Sequence, residues 1–165
     1  MGKKITGTRV QRIDKVAFMN VGTTEAPDYV RMQGFTSLPP TKSPLTYERQ
    51  YIDEKGPRTD TVGMSESIEY AFDYYKGNEV HDKIVAITDE EKIGDDAIVE
   101  IMVVDIKEGT AKMRQYTVQP GSEGDSTESY TYSGTFTSYG DIVKGTATST
   151  DEFMTATFAA TGTGI

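Results

Sequence analysis

The chain has 165 residues with 17 Lys and Arg against 26 Asp and Glu, a formal charge of −9 at pH 7. No Cys or Trp and a single His exclude a disulfide scaffold, thiol chemistry and a Cys/His zinc site. The acidic balance opposes tight DNA binding, which depends on clustered cations displacing counterions from phosphates, and no apolar run reaches membrane-spanning length.

The first six residues, Met1-Gly2-Lys3-Lys4-Ile5-Thr6, start basic and match a myristoylation pattern, but no apolar stretch of signal-peptide length follows. Residues 8–21 predict a long strand carrying Val10, Ile13, Val16 and Phe18. Residues 35–63 hold Pro39, Pro40, Pro44 and Pro57 without sustained periodicity. Proline removes a ladder donor and fixes φ, so this stretch reads as a long inter-strand loop. Such a loop is either functional or disordered, and its Tyr and Ile content disfavours disorder, leaving a loop that orders against another subunit ahead of one folded back on its own domain.

Beyond it, Ile68, Tyr70, Phe72 and Tyr74 alternate with Ser67, Glu69, Ala71 and Asp73, the period-two pattern of a half-buried strand. Val80, Ile84, Ile87 and Ile93 then follow helical spacing over 79–93, with Asn78 placed as N-cap and Gly94 beyond the end. Residues 98–106 are apolar at both parities and predict a central strand covered on both faces, which turns through 107–110 into a second strand over 111–119. After a break at 120–126, Tyr130, Tyr132, Gly134 and Phe136 alternate with Thr131, Ser133, Thr135 and Thr137. Residues 143–149 and 153–159 add a final pair, and the three runs together predict an antiparallel meander ending in a flexible tail over 160–165.

Catalytic groups are sparse. His81, in the first turn of the helix, reads as an isolated surface residue, and the cluster of Asp89, Glu90, Glu91, Asp95 and Asp96 lacks calcium-loop spacing and reads as a solvated helix end. Neither a metal nor a cofactor is expected, and the chain reads as a non-enzyme. What stands out is surface: Thr131, Ser133, Thr135 and Thr137, with Glu69 and Asp73, suit a smooth wet wall.

The order of these pieces carries a resemblance. An N-terminal strand is followed by a proline-bearing loop, by Ser65-Glu66-Ser67-Ile68-Glu69-Tyr70-Ala71-Phe72, and by one helix from Asn78. Gly134-Thr135-Phe136, Gly145-Thr146-Ala147 and Thr155-Ala156-Thr157-Phe158 close the series. Over nearly its whole length the chain resembles the major tail (tail tube) proteins of long-tailed, non-contractile bacteriophages. The resemblance implies a single-domain, mainly β protein over 1–165: an antiparallel β-sandwich with one flanking α-helix and the long loop. It also implies hexameric rings, self-assembled and stacked into a hollow virion tube, made in the host cytoplasm. Tape measure and tail terminator proteins would be partners, and double-stranded DNA would pass without specific binding or any membrane contact. Within that frame Glu69 and Asp73 are candidates to line the lumen, with Glu66 set aside because it shares parity with Ile68. Leu38, Pro39, Pro40, Leu45, Tyr47, Tyr51 and Ile52 are candidates for contacts between rings. The readings left beside it are a non-enzymatic β-sandwich binding module, for example carbohydrate-binding, which ten Tyr allow although Trp is absent, and the tube of a contractile tail or secretion system.

Overall fold

A computed structural model describes residue 2 and residues 5–124 and 126–161. The fold is mainly antiparallel β with one α-helix. In chain order the strands are β1 (Lys15–Asn20), β2 (Tyr29–Arg31), β3 (Phe35–Ser37), β4 (Pro40–Arg49) and β5 (Arg58–Asp73). Helix α1 (Glu79–Asp89) precedes β6 (Ile98–Asp105), β7 (Thr110–Glu123), β8 (Thr131–Ser138), β9 (Val143–Thr148) and β10 (Thr155–Ala160). The chain divides into two compact units, one of Met1–Met32, Ile101–Met113 and Ile142–Ile165, the other of Gln33–Glu100 and Arg114–Asp141.

In the first unit β6, β1, β2, β10, β9 and β7 are bonded in that order, and β7 also bonds to β6, so the strands close into a ring. Closure removes sheet edges, the groups through which strands template further pairing. Val16, Phe18, Tyr29, Met102, Val104, Ala111 and Ala147 fill its interior, with Phe153 and Phe158 packed against them. Gly145 is required there, because a Cβ would lie 2.3 Å from the Ala159 carbonyl oxygen and 2.7 Å from the Phe158 ring.

In the second unit β5 is flanked by β8 on one side and by β3 and then β4 on the other, and β8 continues to β7. The alternation foreseen for 67–74 holds: Ile68, Tyr70 and Phe72 are buried, and Glu69 is exposed. Tyr70 stacks on Phe136 at 4.4 Å between centroids, over Gly134, where a Cβ would meet the Tyr70 hydroxyl at 2.6 Å. Helix α1 buries Val80, Ile84 and Ile87, and Asn78 caps it by accepting from the amides of Val80 and His81 at 3.1 and 3.3 Å. The helix ends at Asp89 rather than reaching 93, because Glu91 takes a left-handed conformation (φ 51°) and the Lys92 amide closes back on the Ile87 carbonyl.

Several expectations from sequence are corrected. The stretch 35–63 holds strands rather than a loop: after the short β3, β4 forms a hairpin with residues 58–68 of β5, from Pro40↔Ile68 to Arg49↔Arg58, with one bulge. Its prolines are tolerated because β4 is bonded on one side only, to β5, where missing amide donors cost no central ladder. The long strand expected over 8–21 is confined to β1, after a 3-10 turn at Arg12–Asp14. The terminal meander does not form, since β8 pairs with β5 and β7, and only β9 and β10 pair together. The break expected over 120–126 begins later, because β7 runs on to Glu123 with only a bulge between Pro120 and Ser122. Strand β6 is not covered evenly on both faces; Val99 and Ile101 are buried, then Met102 and Val104, with Val103 exposed. Its inward parity switches where the chain passes from one unit to the other, which accounts for apolar residues at both parities. Of the tail foreseen over 160–165, residues 162–165 lie outside the described residues.

His81 is the clearest reversal, being fully buried. Its ring stacks on Phe72 at 4.6 Å and meets Phe35 edge-on at 5.6 Å. Nδ1 accepts from the Tyr75 amide at 3.1 Å, which leaves the proton on Nε2 to be donated to the Gln33 carbonyl at 2.5 Å. Position 81 lies three residues before Ile84, at the border of the stripe formed by 80, 84 and 87, where the helical period alone does not decide burial.

Candidate functional site: a polar sheet face and its projecting hairpin

Side chains alternate along a strand and paired residues share a face, so the register of β5, β8 and β7 assembles a wall. Ser67 lies beside Thr137 and Thr117, Glu69 beside Thr135 and Gln119, Ala71 beside Ser133 and Ser122, and Asp73 beside Thr131. On the other side of β5 the wall continues through Ser65 and Ser67 to Ser43 and Thr41 of β4. The members are small and half-buried or exposed. They bond to one another: Thr137 donates to Gln119 Oε1 at 2.7 Å, the hydroxyls of Ser122 and Ser133 are 2.9 Å apart, and Ser129 donates to Asp73 Oδ1 at 3.0 Å. These pairings put Glu69 and Asp73 on one face, four residues or about 13 Å apart along the strand. No Lys or Arg stands among these wall positions.

Glu66, at the other parity, turns inward. Its carboxylate lies 3.4 Å from Arg114 Nη1 and accepts from the Tyr116 hydroxyl at 3.0 Å, with both charged side chains buried (11% and 8% exposed). Arg114 Nε is buried with no hydrogen-bond partner. Burial, reinforced by the Glu66 charge, pushes the Tyr116 phenol well above its ordinary range, so it stays a donor. Sequence parity removed Glu66 from the wall but gave no sign of its partner, 48 residues away.

At Glu66 the strand also leaves the packed body. Every residue of β4 is exposed, and so are the β5 residues that face its outer half. The inter-ring candidates cluster here: Leu38 and Pro39 just before β4, Pro40, Leu45 and Tyr47 on it, and Tyr51 and Ile52 in its turn. All but Leu38, which is half-buried, are exposed, Ile52 completely. Val62 and Met64 add exposed apolar area on β5. A bulge where Leu45 and Thr46 oppose Gly63 and Thr61 leaves Val62 unpaired, so the outer half of the hairpin faces a different way from the inner half. The tip is held by charge and rings. Arg58 pairs with Glu54 through two nitrogens, and the Arg49 and Arg58 guanidiniums lie 5.9 and 5.6 Å from the Tyr51 ring centre.

No group of three or more metal-ligating side chains occurs among the described residues, and no helix is long and apolar enough to cross a membrane. The acidic residues 89–91, 95 and 96 are exposed.

No family model matches the chain, and neither does any curated protein. Its fold is similar to that of solved chains. One, in the tail of an empty GTA particle refined helically with C6 symmetry, superposes with a TM-score of 0.60 at 13% identity, over 81% of this chain and 97% of that one. A chain in the virion of a native gene transfer agent particle gives 0.58 at 12% identity, with the same coverage. A chain in the six-fold symmetrised baseplate of the anti-feeding prophage gives 0.50 at 8% identity, over 87% and 97%.

Proposed function

We propose that this chain is a structural subunit of a tail-like tube, in which six copies close a ring, rings stack, and double-stranded DNA passes through the bore. The observation that carries the reading is the cation-free polar face on β5, β8 and β7, on a sheet whose β4 margin is bonded on one side only. It occurs in a fold similar to that of chains in a GTA tail with C6 symmetry and in the six-fold symmetrised baseplate of the anti-feeding prophage. An unpaired strand margin invites a neighbouring strand, and six such sheets joined side by side leave no free edge. Facing the bore, Glu69 and Asp73 would repel phosphates while the small hydroxyl side chains keep the wall wet and even. A basic lining would instead release counterions and retain the duplex. Six copies carry six times −9, or −54. The exposed apolar residues of the hairpin, which cost free energy in water, would be covered by the adjacent ring.

In this reading the subunit is a virion component with no catalytic role, made in the host cytoplasm, and its partners are its own copies and the proteins that set and cap tube length. The tube of a long, non-contractile tail is the specific assignment we favour. The carbohydrate-binding alternative has less support, because that wall carries no aromatic platform.

Electron microscopy of the concentrated protein tests the proposal. Hollow tubes with six-fold end views are expected, and a variant lacking residues 38–58 should stay folded and fail to polymerise. A full-length chain that remains monomeric at millimolar concentration, or normal tubes from the deletion variant, would overturn the assembly reading or the role of the hairpin respectively.

A further inference from the structure

Three amide directions show which backbone groups the outer margin of β4 leaves open. The Glu66 amide reaches Ser138 Oγ at 3.1 Å, and just beyond β5 the Tyr74 amide reaches the Tyr130 carbonyl at 2.9 Å, so even positions bond toward β8. The Asp73 amide reaches the Gly34 carbonyl at 3.3 Å, so odd positions bond toward β3 and β4. Opposed residues of an antiparallel ladder exchange their bonds as pairs. With Thr41↔Ser67, Ser43↔Ser65 and Leu45↔Gly63, the odd amides of β4 are therefore taken up by β5, and those at 40, 42, 44, 46 and 48 face the unpaired margin. The bulge leaves this division intact on β4, because the extra residue, Val62, belongs to β5.

The prolines follow the same division. Pro40 and Pro44 occupy two of the five outward positions, and β4 runs through both without a gap. Pro39 occupies an inward position, and there pairing with β5 lapses, between Ser37 of β3 and Pro40 of β4. Outward amides remain only on Lys42, Thr46 and Glu48. A proline on a margin presents a carbonyl without a donor, so a strand added there keeps an unsatisfied carbonyl of its own. Two β4 margins joined about a two-fold axis meet this deficit at the prolines of both copies. A head-to-tail neighbour that brings a different margin meets it only at this copy's.

We propose that Pro40 and Pro44 bar a second copy of this chain from pairing its β4 against this one, which keeps the margin free for a different strand. A two-fold dimer closes on itself, whereas a ring needs head-to-tail joints. That consequence rests on the tube reading; the bar itself does not.

Replacing both residues, Pro40→Thr with Pro44→Thr, restores the two donors in a strand that already contains Thr and Ser. At concentrations where the parent sediments as a monomer, the full-length variant should dimerise, with a dissociation constant at least about tenfold lower than the parent's, and amide exchange at positions 40, 42 and 44 should slow in the dimer. Pro39→Thr, whose new donor faces β5, should associate no more than the parent. Adding Thr46→Pro to the double variant should reverse most of the gain. A double variant as monomeric as the parent, equal association in Pro39→Thr, or a gain untouched by Thr46→Pro would each overturn the proposal. Electron microscopy of the same samples keeps the two ideas apart: a parent without tubes beside a dimeric double variant refutes only the tube, and parent tubes beside a double variant that does not dimerise refute only the bar.

Discussion

Removing one half of the Glu66–Arg114 pair gives the sharpest test of how the hairpin is rooted. In Glu66→Leu, Arg114 would remain buried with its charge uncompensated, its Nε already unpartnered, and Tyr116 would lose its acceptor. Breaking a buried pair from one side costs about 3–5 kcal/mol. The 3.4 Å separation is long beside the ~2.8 Å of a strong charge-assisted bond, which favours the lower end, about 3 kcal/mol. For a domain of this size each kcal/mol moves the midpoint by roughly 2–4 °C, so a fall of about 6–12 °C is expected. Circular dichroism during heating and urea titration measures both quantities. The companion variant, Glu66→Leu with Arg114→Met, removes both charges and should recover to within about 1 kcal/mol of the parent. A single variant that loses less than about 1 kcal/mol, or a double variant no better than the single, would refute the pair as a coupled anchor.

Glu69→Lys with Asp73→Lys should leave folding within about 1 kcal/mol of the parent, since neither side chain is in the core, yet make assembled protein retain DNA in a salt-dependent way; filter binding across a salt series that shows no gain would remove both from the bore. Burial lowers the His81 pKa below its ordinary value, outweighing the Gln33 carbonyl, Asp82 and Asp73, which all favour the cation. The folded state therefore holds neutral His81, and its contribution is complete above about pH 6.5 and declines as pH falls from there through the folded value. Urea titrations at successive pH values should show this decline in the parent and a flatter profile in His81→Phe; parallel profiles would refute it. Asn78→Ala strips the acceptor from the Val80 and His81 amides and should cost about 1 kcal/mol in the same titration. Asp151, whose carboxylate is held down to about 2 by donors from Thr155 and Ser149, should keep the β9–β10 turn intact until pH falls below the ordinary carboxylate value and lose that support as pH approaches 2, readable as selective amide exchange at 149–155.

The sequence was most readable where one strand serves one core. Within 67–73 and 131–137 the buried residues Ile68, Tyr70, Phe72, Tyr132 and Phe136 keep one parity, and Asn78 with the 80/84/87 stripe places the helix start. It was least readable where burial imposes no period. In 40–62 every side chain of β4 is exposed and Val62 interrupts the count, so no buried period marks the strand and three prolines point the other way. Strands β6 and β7 each pass between units and change inward parity at Ile101–Met102 and Met113–Arg114, which a single-core reading turns into burial on both faces. Strand β2, at three residues, is too short for any period. The wall positions followed from alternation alone, but that β5, β8 and β7 carry them side by side is a matter of long-range pairing, as is the 48-residue span between Glu66 and Arg114.

The ring of strands built from β1, β2, β6, β7, β9 and β10 satisfies its own backbone, so it offers newly made chains nothing on which to grow sideways. An unpaired strand margin and the exposed apolar side chains of Leu45, Tyr47, Tyr51, Ile52 and Val62 coincide in one finger, the 40–62 hairpin. Under the proposed tube reading, one small cover over that finger would keep free copies dispersed, and lifting it would let polymerisation begin.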